Sequence, residues 1–508
     1  MNFRSHLVHK FTRGAVITAL LVLAGCGSSG TTDSASDNST PTTSVASFVP
    51  ASFVWKACDD SASTTSVQCS TLDVPYDYNN PAEGMFTLYV KLRPATDPSL
   101  RIGSMMVNPG GPGFGGSALA DDSSYYFSTD ITNHFDIIAW DPRGTGKSTP
   151  SVDCVDDYDQ YFGIDSPPDT PEEKQALIDA SQAFNEECLA NSGEILPYIS
   201  TQASATDMNS IRQALGEDKI SYFGFSYGSE LGATWATMFP QTVRAAVLDG
   251  AVDPHATSAE EGMAQAKGFE VQLATFLAAC SKNKMCEFYN GGKSEAAFDT
   301  LLNDLDANPL VVSADRTPVT QGVAFTAVAQ AMYSDYYWPQ LEKALADAQQ
   351  GDGAGLLKLY DDYYQRKDDG SYGNELEAFL AISCLDDPGA TSIEQVDDAV
   401  PAFIAVAPRL GANFGYGYSC ALWPVKPAVK VDVTGKGAGP IVVVGTTGDP
   451  ATPLASTRKM AAALEQGILL IVEANQHTGY GTNDCINTAV DSYLINLTFP
   501  VSETTCKG

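Results

Sequence analysis

The sequence predicts an α/β fold in which a mostly parallel β-sheet is interrupted by a large helical cap. Short apolar segments rich in β-branched residues alternate with stretches of helical periodicity through residues 85–250, and such segments return after residue 440. This alternation is typical of parallel sheets with crossover helices. Between residues 257 and 422, helical patterns follow one another with few strands. We therefore predict a cap inserted after the sixth core strand, above the edge where open α/β sheets bind ligands.

The predicted core has two parts, residues 51–256 and residues 426–508, and the cap between them covers residues 257–425. Seven segments are predicted as strands: Met85–Leu92, Gly103–Val107, Phe135–Trp140, Ile220–Phe223, Ala245–Leu248, Ile441–Val444 and Ile468–Val472. Helical periodicity predicts helices at Asp207–Leu215, Ser229–Phe239, Ala259–Cys280, Ala296–Leu305, Val323–Met332, Pro339–Gln349, Leu356–Gln365 and Cys485–Leu497.

The N-terminal segment predicts export from the cytoplasm. Three basic residues precede an apolar run at residues 15–24, which is too short to span a membrane as a mature helix. The run ends in Leu-Ala-Gly-Cys, which resembles a bacterial lipobox. We therefore predict a signal peptide at residues 1–25, a lipidated Cys26 and a Ser/Thr-rich tether at residues 26–50. An ordinary secretory peptide cleaved after small residues is the alternative. The basic residues are Arg4, Lys10 and Arg13.

The chain is strongly acidic, with a formal net charge of −33 over 508 residues. Because the first 25 residues contain three basic and no acidic residues, their removal changes this charge to −36. Nucleic acids and anionic lipid surfaces repel such a chain, so neither is a predicted partner. The membrane contact that we predict is made through the lipid on Cys26, at the outer face of the bacterial cell membrane.

The chain has eleven cysteines, and ten remain when Cys26 is set aside. An even number in an exported protein favours disulfide bonds over metal ligation. The sequence contains no Cys-x-x-Cys or His-x-x-x-His pattern, and we predict no metal site. Many pairings are possible for ten cysteines. Pairing neighbours along the chain suggests Cys58–Cys69, Cys154–Cys188, Cys280–Cys286, Cys384–Cys420 and Cys485–Cys506.

The most informative motif is Gly-Phe-Ser-Tyr-Gly at residues 224–228. An apolar segment precedes it and a helical pattern follows it, so Ser226 is predicted to occupy a strained strand-to-helix turn that exposes its hydroxyl. This is how a nucleophilic serine is presented, and we predict acyl-transfer chemistry at Ser226. The alternative is a chance occurrence of the motif in a chain rich in glycine and serine.

A nucleophilic serine needs a general base and an acid that orients it. Of the five histidines, only His477 follows a strand late enough to complete the order serine, acid, histidine. Asp449 follows the preceding predicted strand, 28 residues before the histidine. We predict that Asp449 is the acid and His477 the base. The alternatives are a surface-loop histidine and an aspartate that forms a turn before Pro450.

Two backbone N–H groups are predicted to form the oxyanion hole. One belongs to Tyr227, directly after the nucleophile, and the other to Gly111, in the glycine-rich loop after an early strand. The same loop matches a dinucleotide-binding pattern, Gly111-x-Gly113-x-x-Gly116, but Pro112 lies inside it. We predict no cofactor.

Six segments carry a specific combination of motifs: Asn-Pro-Gly-Gly-Pro-Gly (108–113), Asp-Pro-Arg-Gly-Thr-Gly-x-Ser (141–148), Gly-Phe-Ser-Tyr-Gly (224–228), Val-Leu-Asp-Gly-Ala-Val-Asp-Pro (247–254), Gly-Asp-Pro-Ala-Thr-Pro (448–453) and Gln-His-Thr-Gly-Tyr-Gly (476–481). Together they resemble secreted tripeptidyl aminopeptidases of the α/β-hydrolase superfamily, which are relatives of actinobacterial prolyl aminopeptidases. The resemblance covers residues 55–506. It implies an α/β-hydrolase fold and the same three catalytic residues, Ser226, Asp449 and His477.

The sequence departs from the pattern of the prolyl branch at one position. The prolyl branch has a histidine before the paired glycines, whereas this chain has Pro109, which favours the tripeptidyl branch. Asp141 and Arg143 match a family motif, and we interpret them as a structural turn and ion pair.

An aminopeptidase must recognise a free ammonium group, normally with carboxylates. Asp386 is the first candidate, in a segment that looks like one of the family; we expect this segment to be a loop, held by the suggested Cys384–Cys420 bridge. Glu230 is the second candidate, and each could instead be a solvated acidic residue. The predicted activity is a serine exopeptidase that releases short peptides from free N-termini, and its partners are those peptides. The alternatives are an esterase or lipase that acts on envelope lipids or small esters, and an inactive lipoprotein that binds peptides. The sequence does not predict an oligomeric state.

Overall fold

A computed structural model of the protein describes residues 48–59 and 66–507. The predicted signal peptide, Cys26 and the tether as far as residue 47 lie outside these residues. Within the described part, no helix combines the length and the apolar character needed to cross a lipid bilayer.

The described residues form a single ten-stranded sheet. Its strands are β1 (Lys56–Ala57), β2 (Gln68–Pro75), β3 (Met85–Arg93), β4 (Gly103–Asn108), β5 (Phe135–Trp140), β6 (Ile220–Phe225), β7 (Val243–Asp249), β8 (Ile441–Thr446), β9 (Gly467–Glu473) and β10 (Thr504–Lys507). They lie in the order β1-β2-β3-β5-β4-β6-β7-β8-β9-β10. The neighbouring pairs β1–β2, β2–β3 and β3–β5 are antiparallel. All other neighbouring pairs are parallel.

All seven predicted strands are present, and the mostly parallel sheet is confirmed. The sequence analysis missed β1, β2 and β10. β2 pairs with β3 along all eight of its residues, but several of its outward positions are polar or exposed. An antiparallel strand with one solvated face has no continuous apolar run, so its sequence resembles a loop.

Helices cover both faces of the sheet and form the cap. Those outside the cap are α1 (Ala118–Asp121), α2 (Ser123–Tyr126), α3 (Thr129–His134), α4 (Asp159–Phe162), α5 (Pro171–Ser192), α6 (Thr201–Ala214), α7 (Tyr227–Met238), α17 (Leu454–Ala463) and α18 (Asp484–Asn496). The cap contains α8 (Ser258–Lys282), α9 (Ser294–Ala307), α10 (Gln321–Met332), α11 (Trp338–Ala348), α12 (Ala354–Tyr363), α13 (Glu375–Asp386), α14 (Ile393–Val406), α15 (Gly411–Gly415) and α16 (Tyr418–Ala421). It follows β7, the sixth strand when the two-residue β1 is not counted.

Helix α5, which precedes the nucleophile strand in sequence, packs against the cap. It begins with a capping box between Thr170 and Glu173. Asn185 Nδ2 donates a hydrogen bond to the Ser419 carbonyl at 2.8 Å, so this helix contacts the segment that contains α16. The sequence analysis did not assign this helix, because its apolar residues do not form one continuous stripe.

Five disulfide bonds are present, and they join the cysteines suggested by pairing neighbours along the chain. Cys384–Cys420 joins α13 to α16 within the cap. Cys485–Cys506 joins α18 to β10. Cys280 and Cys286 lie near Glu342 in a group of potential metal ligands, but their sulfur atoms are bonded to each other and cannot act as thiolates.

Asp141 and Arg143 stabilise the turn after β5. The Asp141 carboxylate accepts hydrogen bonds at 2.8 Å from the backbone N–H groups of Ser117 and Lys147. Arg143 is completely buried, and its Nη2 lies 2.6 Å from Asp207 Oδ1. The ion-pair partner of Arg143 is therefore Asp207 on α6, a residue distant in sequence.

Candidate active site

Ser226 occupies the sharp turn between β6 and α7. Its backbone angles, φ 54° and ψ −125°, are rare for a residue with a side chain, which indicates local strain. The flanking glycines permit the turn: a Cβ atom on Gly224 would lie 2.3 Å from the Gly228 carbonyl oxygen, and one on Gly228 would lie 2.9 Å from Asn108 Oδ1. The strand-turn-helix context predicted for the motif is present.

Asp449 and His477 follow the carboxyl ends of β8 and β9, and they form a buried pair. His477 Nδ1 lies 2.9 Å and 3.0 Å from the two Asp449 carboxylate oxygens. The carboxylate also accepts hydrogen bonds from the Ala451 and Thr452 N–H groups and from Thr452 Oγ1, at 2.8–2.9 Å. Among the described residues, His477 Nε2 has no hydrogen-bond partner. It is therefore free to accept a proton.

Ser226 and this pair meet at the same edge of the sheet. Thr452 Oγ1 lies 3.3 Å from His477 Nδ1 and lines the cavity that Ser226 also lines. The Ser226 N–H donates a hydrogen bond to the Asp249 carbonyl at 2.8 Å. A Cβ atom on the next residue, Gly250, would lie 3.2 Å from His477 Cε1. Asp249, which ends β7, thus contacts the serine turn, and Gly250, the next residue, lies beside the histidine.

A second buried carboxylate, that of Asp249, supports the histidine loop. It accepts hydrogen bonds at 2.8 Å from the N–H groups of Gly479 and Tyr480. Burial raises the pKa of Asp249 to about 6, against the opposing effect of these hydrogen bonds. Because its oxygens bind backbone rather than the imidazole, Asp249 holds the loop and Asp449 orients the ring.

Gly111 and Tyr227, the two predicted oxyanion donors, line the cavity beside Ser226. The Tyr227 N–H is the first of α7, a position where a helix leaves its N–H groups without carbonyl partners. Gly111 has φ +112°, a conformation that favours glycine. The glycine-rich loop packs closely against α13 of the cap. A Cβ atom on Gly113 would lie only 2.4 Å from the Glu375 carbonyl oxygen and from the Phe379 nitrogen.

The cavity, about 130 Å³ in volume, is bordered on one side by charged residues from separate segments. We call four of them the acidic cluster. Glu230 comes from α7 and Glu261 from α8, while Asp386 and Asp387 lie at the end of α13. Lys430, from the segment after the cap, is the fifth charged residue in the lining. Both predicted amine-binding residues, Glu230 and Asp386, thus lie beside Ser226.

Two members of the acidic cluster have strong partners. Lys430 Nζ lies 3.4 Å from Glu230 Oε1. Asp386 accepts hydrogen bonds from the Thr201 N–H at 3.0 Å and from Thr201 Oγ1 at 2.6 Å. Thr201 Oγ1 also shares a short hydrogen bond with the Tyr227 hydroxyl. Asp386 therefore closes the last turn of a helix and is tied to the residue after the nucleophile, whereas the sequence analysis expected it in a loop.

Glu261 differs from the others, because within residues 48–59 and 66–507 it forms no hydrogen bond or ion pair through its carboxyl group. Asp387, by comparison, accepts a hydrogen bond from the Ser258 N–H at 3.1 Å. Burial, reinforced by the nearby Glu230 carboxylate, raises the pKa of Glu261 to about 8. Burial likewise raises the pKa of Asp386 to about 7. A cation that entered the cavity would stabilise the charged form of both groups.

The fold and the motifs have counterparts among known proteins. A protein-family model described as the alpha/beta hydrolase fold matches residues 103–484, which is most of the chain. The chain belongs to the α/β-hydrolase family. This assignment confirms the predicted fold class.

Relatives of this hydrolase carry several names. Serine protease Hip1 of Mycobacterium tuberculosis is 34% identical over 472 residues, covering 89% of this chain and 90% of the relative. A protein of the same organism named Carboxylesterase B is also 34% identical and covers 89% of each chain. Tripeptidyl aminopeptidase of Streptomyces lividans is 28% identical, over 87% of this chain and 83% of the relative. The resemblance to actinobacterial tripeptidyl aminopeptidases is thereby confirmed.

Five residues of the hydrolase site were not predicted from the sequence: Thr201, Asp249, Glu261, Lys430 and Thr452. Two of them had a usable signal. Asp249 ends an apolar strand, where side chains reach the ligand-binding edge, and Thr452 lies three residues after the predicted acid. Glu261 and Lys430 had none, because one acidic or basic residue among many charged residues has no distinctive pattern.

Proposed function

We propose that this α/β hydrolase is an extracytoplasmic serine exopeptidase that releases tripeptides from free N-termini. The observation that carries the proposal is the shared cavity, because Ser226, the two candidate oxyanion donors and the acidic cluster all line it. The names of two relatives, serine protease Hip1 and tripeptidyl aminopeptidase, support the same activity.

In the proposed reaction, Ser226 Oγ attacks the carbonyl carbon of the third residue of the peptide, and His477 Nε2 takes the hydroxyl proton. The N–H groups of Gly111 and Tyr227 stabilise the oxyanion. When the C–N bond breaks, His477 returns the proton to the leaving amine, and an ester to Ser226 remains. A water molecule then attacks this ester and gives a proton to His477, which passes it to Ser226 Oγ as the ester C–O bond breaks. The tripeptide leaves as an acid that ionises to a carboxylate, and the enzyme is restored. Asp449 keeps the imidazole in the required tautomer throughout.

The acidic cluster is the proposed site for the substrate ammonium group. Its four carboxylates face a single lysine, so the local charge favours a cation when the carboxylates are ionised. Glu261 is the best candidate for direct contact, because its carboxyl group has no competing partner within the described part of the chain. Glu230 is paired with Lys430, and Asp386 with Thr201.

We also propose that the mature protein begins at Cys26 and is anchored by lipid at the outer face of the cell membrane. The five disulfide bonds support this location, since such bonds persist in oxidising compartments outside the cytoplasm. Mass spectrometry of the purified protein tests the anchor: a diacylglycerol-modified Cys26 at the N-terminus supports it, and an unmodified N-terminus contradicts it.

The proposed substrate specificity is tested with a tripeptidyl reporter that has a free or an acetylated N-terminus. We expect Glu261→Gln to raise KM for the free-amine reporter about tenfold to a hundredfold, the effect of losing one charge-assisted hydrogen bond. The acetylated reporter should be a poor substrate for both proteins. Glu287→Gln removes the same charge from an exposed position outside the cavity and serves as the control. Equal turnover of the free and acetylated reporters would contradict the proposal.

The same test includes a small ester, because one relative is named Carboxylesterase B. An esterase would hydrolyse the ester efficiently and show no dependence on a free amine in peptides. An exopeptidase would prefer the free-amine peptide by a large factor in kcat/KM. The two functions therefore predict opposite rankings of the same three substrates.

Recognition of the amine should depend on pH. The carboxyl groups of Glu261 and Asp386, whose pKa values are raised to about 8 and about 7, are neutral at pH 6 and become charged as the pH rises. Above about pH 8 the peptide amine itself loses its proton. We expect kcat/KM for the free-amine reporter, divided by that for the small ester, to rise from pH 6 to about 8 and then fall. Any pH dependence that the two substrates share cancels in this ratio, and a ratio independent of pH would contradict the prediction.

A further inference from the structure

A short segment of the cap runs antiparallel to the loop that carries His477. The segment Tyr333–Asp335 directly follows α10, and we call it the cap strap. The His477 N–H donates a hydrogen bond to the Tyr333 carbonyl at 3.0 Å, and the Asp335 N–H donates one to the Asn475 carbonyl at 3.1 Å. Between these two bonds, Ser334 and Gln476 form an isolated antiparallel bridge.

The strap contacts the histidine through its ring as well as its backbone. The Tyr333 ring lies edge-on to the His477 imidazole, with ring centroids 5.6 Å apart and an interplanar angle of 73°. Both residues are buried, with His477 only 4% exposed. The hydrogen bond between His477 and Tyr333 is therefore shielded from water, and a water molecule cannot easily replace it. The second bond joins Asp335 and Asn475, both of which are exposed.

The core holds the same loop at other points. Asp249 binds the N–H groups of Gly479 and Tyr480, beyond the histidine, and the Thr446 hydroxyl donates a short hydrogen bond to the Gln476 carbonyl. The N–H of His477 itself, however, bonds to the cap. Strand β9 ends at Glu473, so residues 475–477 have already left the sheet.

We propose that the cap strap positions His477, and that the cap is part of the support of the general base as well as a wall of the substrate cavity. A displacement of the cap would break the two backbone hydrogen bonds or move the histidine with it. Either result changes the distance between Nε2 and Ser226 Oγ. A misplacement of about 1 Å in a reacting group can cost about a hundredfold in rate, so the effect is measurable. The proposal concerns the triad alone and does not depend on the identity of the substrate.

The strap offers a substitution that removes one backbone donor with little other change. Asp335 is the first residue of a 3-10 turn (Asp335–Tyr337), a position at which proline is well tolerated. Ser334, before it, has φ −158° and ψ 141°, the extended conformation that proline requires of its predecessor. Asp335→Pro therefore deletes the hydrogen bond to Asn475. Asp335→Ala removes the same side chain and keeps the N–H, which makes it the matched control.

The measurements use reagents that do not depend on binding of an amine by the acidic cluster. We compare the two variants for the rate at which a fluorophosphonate labels Ser226 and for kcat with p-nitrophenyl acetate, since neither reagent has an ammonium group. Relative to Asp335→Ala, we expect Asp335→Pro to be about tenfold slower in both, with KM for the ester unchanged. Equal labelling rates and equal kcat for the two variants would overturn the proposal.

A second pair of variants covers the case in which Asp335→Pro fails to fold. Tyr333→Leu removes the ring that contacts the imidazole, and Tyr333→Phe keeps it, while both retain the backbone carbonyl that accepts the His477 N–H. We expect Tyr333→Leu to label several-fold more slowly than Tyr333→Phe. A loss confined to KM of the peptide reporter would show that the strap only shapes the cavity, and would overturn the proposal. Failure of the exopeptidase proposal would leave the labelling result unaffected, so the two failures are distinguishable.

Discussion

Replacement of Ser226 by alanine is expected to abolish turnover of peptides and esters alike, with a fall in kcat on the order of 10⁶-fold, as in other serine hydrolases with this type of triad. The reason is that Ser226, at the strained turn between β6 and α7, lines the same cavity as the candidate oxyanion donors and is the proposed nucleophile. Alanine keeps the Cβ atom, so the strained turn and the surrounding packing are retained. The measurement is kcat with p-nitrophenyl acetate and the tripeptidyl reporter, together with thermal unfolding.

Ser229→Ala is the matched control for this experiment. Ser229 lies on α7 one turn after the nucleophile and is equally buried, but its hydroxyl oxygen accepts a hydrogen bond from the Val252 N–H at 3.2 Å. We expect this variant to lose some stability and to retain covalent labelling by a fluorophosphonate. Labelling of the Ser226→Ala protein, or turnover near that of the wild type, would remove Ser226 from the mechanism. Failure of the wild-type protein to label would instead support the inactive, peptide-binding alternative.

Replacement of Asp449 by asparagine is expected to lower kcat by about 10⁴-fold while the fold is retained. The two Asp449 oxygens lie 2.9 Å and 3.0 Å from His477 Nδ1, so the carboxylate requires a proton on Nδ1 and leaves Nε2 free to accept one. An asparagine can turn its amide N–H toward Nδ1, which favours the opposite tautomer and places the proton on Nε2. The measurement is kcat with both substrates, since the defect does not depend on the acyl group.

Asp249→Asn tests whether the second buried carboxylate can serve as the acid. Asp249 accepts hydrogen bonds from backbone N–H groups of the histidine loop, and we expect its replacement to disturb the loop and lower kcat by about tenfold to a hundredfold. Comparison of the losses in kcat for Asp249→Asn and Asp449→Asn shows which carboxylate is the acid. A larger loss for Asp249→Asn than for Asp449→Asn would show that the acid has been assigned to the wrong strand.

Much of the candidate site could be predicted because it depends on local sequence and chain order. The turn at Ser226 needs glycines two residues away on each side, since a Cβ atom on Gly224 would collide with the Gly228 carbonyl and one on Gly228 would collide with the Asn108 side chain. Asp449 and His477 follow apolar strands, and in a parallel sheet all strand ends of one type meet at one edge. The roles of these three residues in catalysis stay predictions that the variants above test.

Other features could not be predicted, for identifiable reasons. Strand β2 has one solvated face and helix α5 has no continuous apolar stripe, so neither has the periodicity on which sequence analysis depends. Asp386 was expected in a loop and lies instead at the end of α13. Glu261 and Lys430 come from distant segments, and only the packing of the cap on the core brings them to the same cavity.

The sequence by itself determined the fold class, the order of the strands that carry the proposed triad and the residues at their ends, because these follow from short-range patterns of apolar, glycine and turn-forming residues. The tertiary structure decided which groups surround these residues. Among the residues that the structure describes, it left the Glu261 carboxyl group without a hydrogen-bond or ion-pair partner, paired Glu230 with Lys430, and connected His477 to the Tyr333 carbonyl of the cap. Such contacts join residues far apart in the chain through backbone atoms or ordinary charged side chains. They depend on the packing of the whole fold, and no local pattern in the sequence specifies them.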